Sequence, residues 1–196
     1  MRKISIAVAA LLTSIAGQAA PAATAVAVFA GGCFWSTEVA FDKVPGVVST
    51  TSGFSGGRVA NPSYAQVVSS DTGHLEAVRV VYDPAKLSYV RLLDAYWRSI
   101  DPTDPDGQFC DQGPNYRTAI FVTPEQRAVA EASKAKLAKS GVLPGPVATR
   151  ILPAAPFYAA DASHQDFHVR NPARYRMYRI GCGRDAALAR VWKKAT

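Results

Sequence analysis

The apolar positions of this chain fall into short runs that switch between two periods, with glycine and proline at nearly every switch. Ala25 to Ala30 is short, apolar and rich in β-formers, so it reads as a strand. Gly31-Gly32 breaks it, and Val39 and Ala40 then stand at helical spacing from Trp35 and Ser36, predicting a helix from Ser36 to Phe41. Gly46 to Phe54 is a second strand, Ser55-Gly56-Gly57 and Asn61-Pro62 a loop, and Ser63 to Val68 one short helix. Glu76 to Tyr82 alternates and ends at Asp83-Pro84. Ser88 caps a helix from Tyr89 to Ile100 that buries Leu92, Leu93, Tyr96 and Trp97. The stretch from Asp101 to Asn115 is irregular, and long irregular loops in compact domains are usually functional.

The second half continues the alternation. Thr118 to Thr123 is a strand, Pro124 to about Ser140 a helix capped by Thr123, and Val147 to Leu152 a strand. Asp161 or Ser163 caps a helix running to Val169, which Asn171-Pro172 stops. The tail, 171–196, shows no strong period before Asp185, where a last short helix to Trp192 has room to form. The order β-α-β-(α)-β-α-β-α-β fits a split βαβ layer. The expectation is an α+β fold: a two-layer, ferredoxin-like sandwich with extended loops and a coiled C-terminal tail, in one domain over 24–196.

The N-terminus changes the picture. Arg2-Lys3 precedes an apolar run from Ile4 to Ile15, and Ala19-Ala20 and Ala22-Ala23 offer small residues for cleavage. This is the pattern of a secretory signal peptide over 1–23, and the run is too short for a membrane span. The reading predicts an exported protein, periplasmic or secreted, with no stable membrane insertion. The 196 residues carry a formal charge of +7. Without Arg2 and Lys3 the balance is 20 basic against 15 acidic side chains, or +5. Much of the basic charge lies late, from Arg170 to Lys194. A nucleic-acid surface would use such a face, but an exported protein rarely meets nucleic acid, so a solvated basic tail is expected.

Three cysteines, Cys33, Cys110 and Cys182, cannot all pair. An odd count in an exported chain suggests a reactive thiol or an exchangeable disulfide. Cys33 falls at the first turn of a helix, where free N–H groups and the helix dipole favour a thiolate. Its pKa is therefore expected to be depressed, with Phe34 and Trp35 beside it as walls of a small apolar pocket. Position alone leaves a buried structural cysteine equally open. Glu76 sits on an apolar strand, and burial there would keep its carboxyl protonated; an outward-facing strand glutamate is the alternative. No Cys/His spacing signals structural zinc. His164 and His168 are spaced i, i+4, but no Glu follows His164 and no third ligand is evident, so no metal is expected.

Gly32-Cys33-Phe34-Trp35 after a strand resembles the signature of type A peptide methionine sulfoxide reductases. Asn61-Pro62-Ser63-Tyr64, Thr72 to Val78, Val81 to Pro84, Gly107 to Arg117 and Phe157 to Phe167 resemble the family's further blocks, in order. Ser163 stands where that family usually has tyrosine. The resemblance implies thiol-dependent reduction of methionine S-sulfoxide, free or in proteins. It implies that Cys33 attacks the sulfoxide sulfur and that Glu76 is the general acid. Tyr64 and Tyr116 would bond the sulfoxide oxygen, Asp111 would order the site, and Phe34 and Trp35 would cage the methyl group. Cys182 in its glycine-flanked tail is the expected resolving thiol, with Cys110 the alternative. A thioredoxin-like dithiol is the expected reductant, no cofactor is implied, and the protein is expected to be a monomer. Two other readings remain from the residues: an acyl-transfer hydrolase pairing Cys33 with His74 or His164, and a non-catalytic exported module that recognises a methionine-like side chain.

Overall fold

The computed structural model describes residues 23–69 and 71–193. The expected signal peptide lies outside them. The strands are β1 (Ala25–Ala30), β2 (Val47–Ser55), β3 (Leu75–Tyr82), β4 (Gly107–Gln108), β5 (Asp111–Gln112), β6 (Ala119–Val122), β7 (Arg150–Pro153) and β8 (Phe157–Ala159). The helices are α1 (Phe34–Asp42), α2 (Tyr64–Ser69), α3 (Tyr89–Arg98), α4 (Pro124–Lys139), α5 (Phe167–Arg170), α6 (Pro172–Gly181) and α7 (Arg184–Val191).

Six strands form one sheet in the order β7-β6-β1-β3-β2-β8, and β4 pairs with β5 apart from it. Within it, β6-β1-β3-β2 is antiparallel throughout, with α1 between β1 and β2 and α3 between β3 and β6. This is the split βαβ arrangement expected from the element order, extended by β7 and β8 at its edges. Period-two alternation decides the faces. Phe29, Val78, Val80, Ile120 and Val122 turn to one side, where Phe41, Leu92, Leu93, Tyr96 and Ala130 meet them from the helices. Ala30, Leu75, Ala77, Ala119 and Phe121 form a smaller cluster with Leu152 and Phe157.

Local chemistry explains the ends of the elements. Ser88 Oγ accepts from Arg91 N at the start of α3, and Thr123 with Gln126 makes a capping box at the start of α4. Two expectations are corrected at the C-terminal end. The helix expected from Asp161 or Ser163 is confined to Phe167–Arg170, because Gln165 is committed elsewhere: its side chain bonds Ser52 N and O and Ala160 O at 2.8–2.9 Å. The tail is helical rather than coiled. Pro172, read as a stop, occupies the first turn of α6, where its missing N–H is no loss. Tyr175 packs with Val39 and Phe167, and Trp35 and Tyr178 join them, holding α6 against α1. Gly183, at φ +63, turns the chain from α6 into α7.

Candidate active site

The site forms where β1 hands over to α1. Gly32 takes φ +78, and a Cβ there would stand 2.5 Å from Gln108 Cβ, so glycine is required both for the turn and for the close approach of the 101–108 loop. Gln108, fully buried, closes that loop by bonding Asp101 N and O at 2.8 Å each. Cys33 is the N-cap of α1; its carbonyl accepts from Ser36 N and its side chain caps nothing, so the thiol is left free.

Glu76 comes from β3. It shares the phase of Val78 and Val80, so it points at the helices, and it is 1% exposed. Its Oε2 accepts a 2.9 Å hydrogen bond from Phe34 N, the first residue of α1. That bond brings the thiol-bearing turn and the carboxyl together. Burial pushes the Glu76 carboxyl up to about 8, against the favourable Phe34 N–H, with Asp111 adding to the rise. Glu76 is thus a protonated carboxyl at neutral pH.

The expectation for Cys33 is reversed in direction. Burial first, and then the Glu76 and Asp111 carboxylates, raise its thiol far above the ordinary range, outweighing the start of a nine-residue helix. The free protein therefore holds a neutral thiol beside a neutral acid.

Around this pair stand the other residues singled out from the sequence. Phe34 is buried against Phe54, with Tyr64 and His164 rings 6.2 and 5.3 Å away. Trp35 stacks on Phe167 at 3.8 Å between centroids, nearly parallel, which sets its plane as one wall. Tyr64 and Tyr116 are hydrogen-bonded through their side chains, and burial raises both phenols, with Glu76 contributing. Asp111 Oδ2 accepts from Tyr178 Oη at 2.5 Å, and burial raises its carboxyl.

The structure adds two residues that pattern reading passed over, Tyr178 and Arg184, and a different place for His164. Tyr178 bonds Asp111, touches the Cys33 thiol and meets Trp35 edge-on. His164, read from the sequence only for metal or hydrolase roles, lies tilted against the Tyr64 ring with centroids 4.4 Å apart. Arg184, on α7, reaches the Gly31 carbonyl. The available signals were weak: tyrosines three apart in a tail without a clear stripe, and a buried arginine that no sequence period marks.

The histidines do not serve the metal or hydrolase readings. His164 precedes α5, so it shares no helix face with His168, whose Nε2 faces Asp42 at 3.7 Å. His74 accepts from Gly57 N through Nδ1 and bonds the Val59 carbonyl through Nε2. Cys182 and Cys110 are disulfide-bonded to each other, with Cα atoms 5.0 Å apart, and Cys110 is exposed. Neither bonds Cys33 here. Cys182 also lies at the C-cap of α6, not in the loose segment that the sequence suggested.

A free buried thiol, a neutral buried carboxyl bonded to the same helix start, a wall of aromatic rings and a separate disulfide exposed at Cys110 define an oxidoreductase that works through thiols. A family model described as peptide methionine sulfoxide reductase matches residues 25–196. The chain is 52% identical over 196 residues to a peptide methionine sulfoxide reductase of Caulobacter vibrioides, covering 98% of this chain and 99% of that one. A Bacillus licheniformis protein of the same name is 51% identical over 85% of this chain and 93% of its own. The solved methionine sulfoxide reductase A of Corynebacterium diphtheriae superposes with a TM-score of 0.67 at 34% identity, over 76% of each chain. The reduced form of Mxr1 from Saccharomyces cerevisiae gives 0.70 at 29% identity, over 80% of this chain and 90% of that one. The chain belongs to the peptide methionine sulfoxide reductase family.

Proposed function

We propose that this chain reduces the S-epimer of methionine sulfoxide, free or in proteins, with Cys33 as nucleophile and Glu76 as general acid. Thiol-dependent reduction of methionine sulfoxide is its activity as a family member; the S-epimer is what the resemblance implies, and the site supports the residue roles. The observation that carries the reading is the Glu76–Phe34 hydrogen bond, which fixes a protonated carboxyl at the helix start that bears the free thiol.

The Cys33 sulfur attacks the sulfoxide sulfur while Glu76 protonates the oxygen, assisted by the Tyr64 and Tyr116 hydroxyls. The thiol proton returns to the carboxylate, the S–O bond breaks, methionine leaves, and Cys33 keeps the oxygen as sulfenic acid. Phe34 and Trp35, with His164 and Tyr178, hold the methyl group and exclude water. Asp111 orders Tyr178 through their bond.

Cys33 is two-electron oxidised after each turnover and needs a thiol. With Cys110–Cys182 closed, none is at hand, so a dithiol reductant opens that bond first. The Cys182 thiol then condenses with the sulfenic acid, releasing water. Cys110 attacks Cys182, frees Cys33 and restores the exposed disulfide for a thioredoxin-like protein to reduce. Support for this order is the difference in exposure: Cys33 is 6% exposed, whereas Cys110 is at the surface. Direct resolution by Cys110 is the competing route. The chain completes the site by itself, which supports a monomer, and the segment from Arg2 to Ala23 supports export to the periplasm or beyond.

Incubation with each separated epimer and dithiothreitol tests the reading. The S-sulfoxide is expected to be consumed and the R-sulfoxide left, and Cys33→Ser should abolish turnover with the fold intact by circular dichroism. Consumption of the R-epimer, or Cys33→Ser activity within tenfold of wild type, overturns it.

A further inference from the structure

Arg184 is the largest side chain buried to below 2% exposure, and it carries a charge. Its Nη2 donates to Ser99 O at 2.8 Å and to Gly31 O at 3.2 Å, and its guanidinium lies over the Phe109 ring, 4.6 Å from the centroid. Nη1 has no hydrogen-bond partner, and among the described residues Arg184 forms no ion pair. A buried cation held only by neutral carbonyls and an aromatic ring, with the Asp111 carboxylate beyond ion-pair distance, is costly and needs an account. Its position supplies one. Nη1 stands 3.7 Å from where a Cβ on Gly32 would be, so the guanidinium lies against the two-glycine turn that delivers Cys33.

The charged and titratable groups that face Cys33 are Glu76 from β3, Asp111 from β5, Tyr64 from α2, Tyr178 from α6 and Arg184 from α7. The acids oppose a thiolate, and the Tyr178 hydroxyl favours it through its hydrogen bond to the sulfur. Arg184 is the cation of the set.

We propose that Arg184 is a positioning residue for Cys33: clamped beneath the Gly31–Gly32 turn, its guanidinium holds that turn and supplies the fixed positive charge that offsets the thiolate as it attacks. This rests on the reading of Cys33 as nucleophile and adds the group that makes the anion accessible in a site otherwise hostile to it. The orphaned Nη1 is then a donor held in reserve for the negative charge that develops during the reaction, the arrangement by which fixed dipoles stabilise transition states. The two carbonyl bonds from Nη2 and the stacking on Phe109 keep the charge from swinging out to solvent, a geometry suited to the planar guanidinium.

The test uses the oxidised protein, in which Cys33 is the free thiol and Cys110–Cys182 is closed, so iodoacetamide reports Cys33 alone. Arg184→Gln should slow Cys33 alkylation at pH 8 by roughly tenfold, the equivalent of one unit in the thiol. It should also slow single-turnover release of methionine at pH 7 by roughly tenfold, with little change in substrate affinity. Arg184→Lys, which keeps the charge, should hold the alkylation rate near wild type. A merely structural Arg184 would lower the unfolding midpoint of Arg184→Gln without slowing its alkylation, and that result overturns the proposal. Equal slowing in the Gln and Lys variants also overturns it. Should Arg184→Gln fail to fold, Arg184→Lys carries the test alone, and a slowing of roughly tenfold or more refutes the role of charge. Loss of the nucleophile assignment would show separately, as turnover retained by Cys33→Ser.

Discussion

At the scale of single residues, Glu76 does two opposed things. Its buried carboxyl, held up to about 8, is a proton donor where an exposed glutamate would be ionised. The same shift makes the stability of the fold depend on pH. The folded protein binds this proton more tightly than the unfolded chain, so its stabilising effect is complete below the unfolded value of about 4.3 and is lost as pH rises through about 8. Glu76→Gln keeps the shape and an acceptor for Phe34 N–H but supplies no proton. Its single-turnover rate is expected to drop roughly 10²–10⁴-fold, while wild type loses its rate as pH rises through about 8. In thermal melts the Gln variant should gain on wild type from pH 5 to 8. Unchanged single-turnover rates with an unchanged pH profile would make Glu76 structural.

At the scale of elements, the tail decides how the cycle closes. α6 is held to α1 by Tyr175 and Tyr178 and to α7 by the Arg179–Asp185 pair. A bond from Cys182 to Cys33 requires their Cα atoms to come within about 4.4–6.8 Å, so the end of α6 must give up its partner Cys110 first. Each single variant should be prereduced, freed of reductant and given one equivalent of methionine sulfoxide, and its disulfides mapped by peptide mass. Cys110→Ser is expected to accumulate Cys33–Cys182, and Cys182→Ser to accumulate sulfenic acid with little Cys33–Cys110. A Cys33–Cys110 bond formed in Cys182→Ser at the wild-type rate would assign resolution to Cys110 instead.

At the scale of the whole molecule, Cys110–Cys182 closes a span of 72 residues between the site loop and the tail. Loop-closure entropy for such a span corresponds to about 4 kcal/mol, as an upper figure. Reduction should therefore lower the denaturant midpoint without changing the slope greatly, and Cys110→Ser should match the reduced wild type. A reduced protein as stable as the oxidised one would show that the tail is held by α6–α1 packing alone. The molecule is thus less tightly bound in the state that can resolve Cys33 than in the oxidised state.

The local pattern was enough for most of the frame. The apolar, β-rich run of β1, the alternation of β3, the caps Ser88 and Thr123, and the Gly31-Gly32 break are short-range effects, written in neighbouring residues, and they place Cys33 at a helix start and Glu76 on an apolar strand. The ordered blocks around Tyr64, Asp111 and Tyr116 pointed to the chemistry for the same reason: each is contiguous in the chain. Other features depended on partners far away in sequence. The direction of the Cys33 shift is a balance of burial against a helix end, and burial exists only once β3 and α1 pack. The edge strand β8 is three residues long and pairs with β2 across a hundred positions. Pro172 reads as a helix stop in the sequence and takes the first turn of α6 only where Tyr175 finds Val39 and Phe167. Tyr178, Arg184 and the Cys110–Cys182 bond reach the site only because the tail folds back over α1, a long-range docking that no local periodicity encodes.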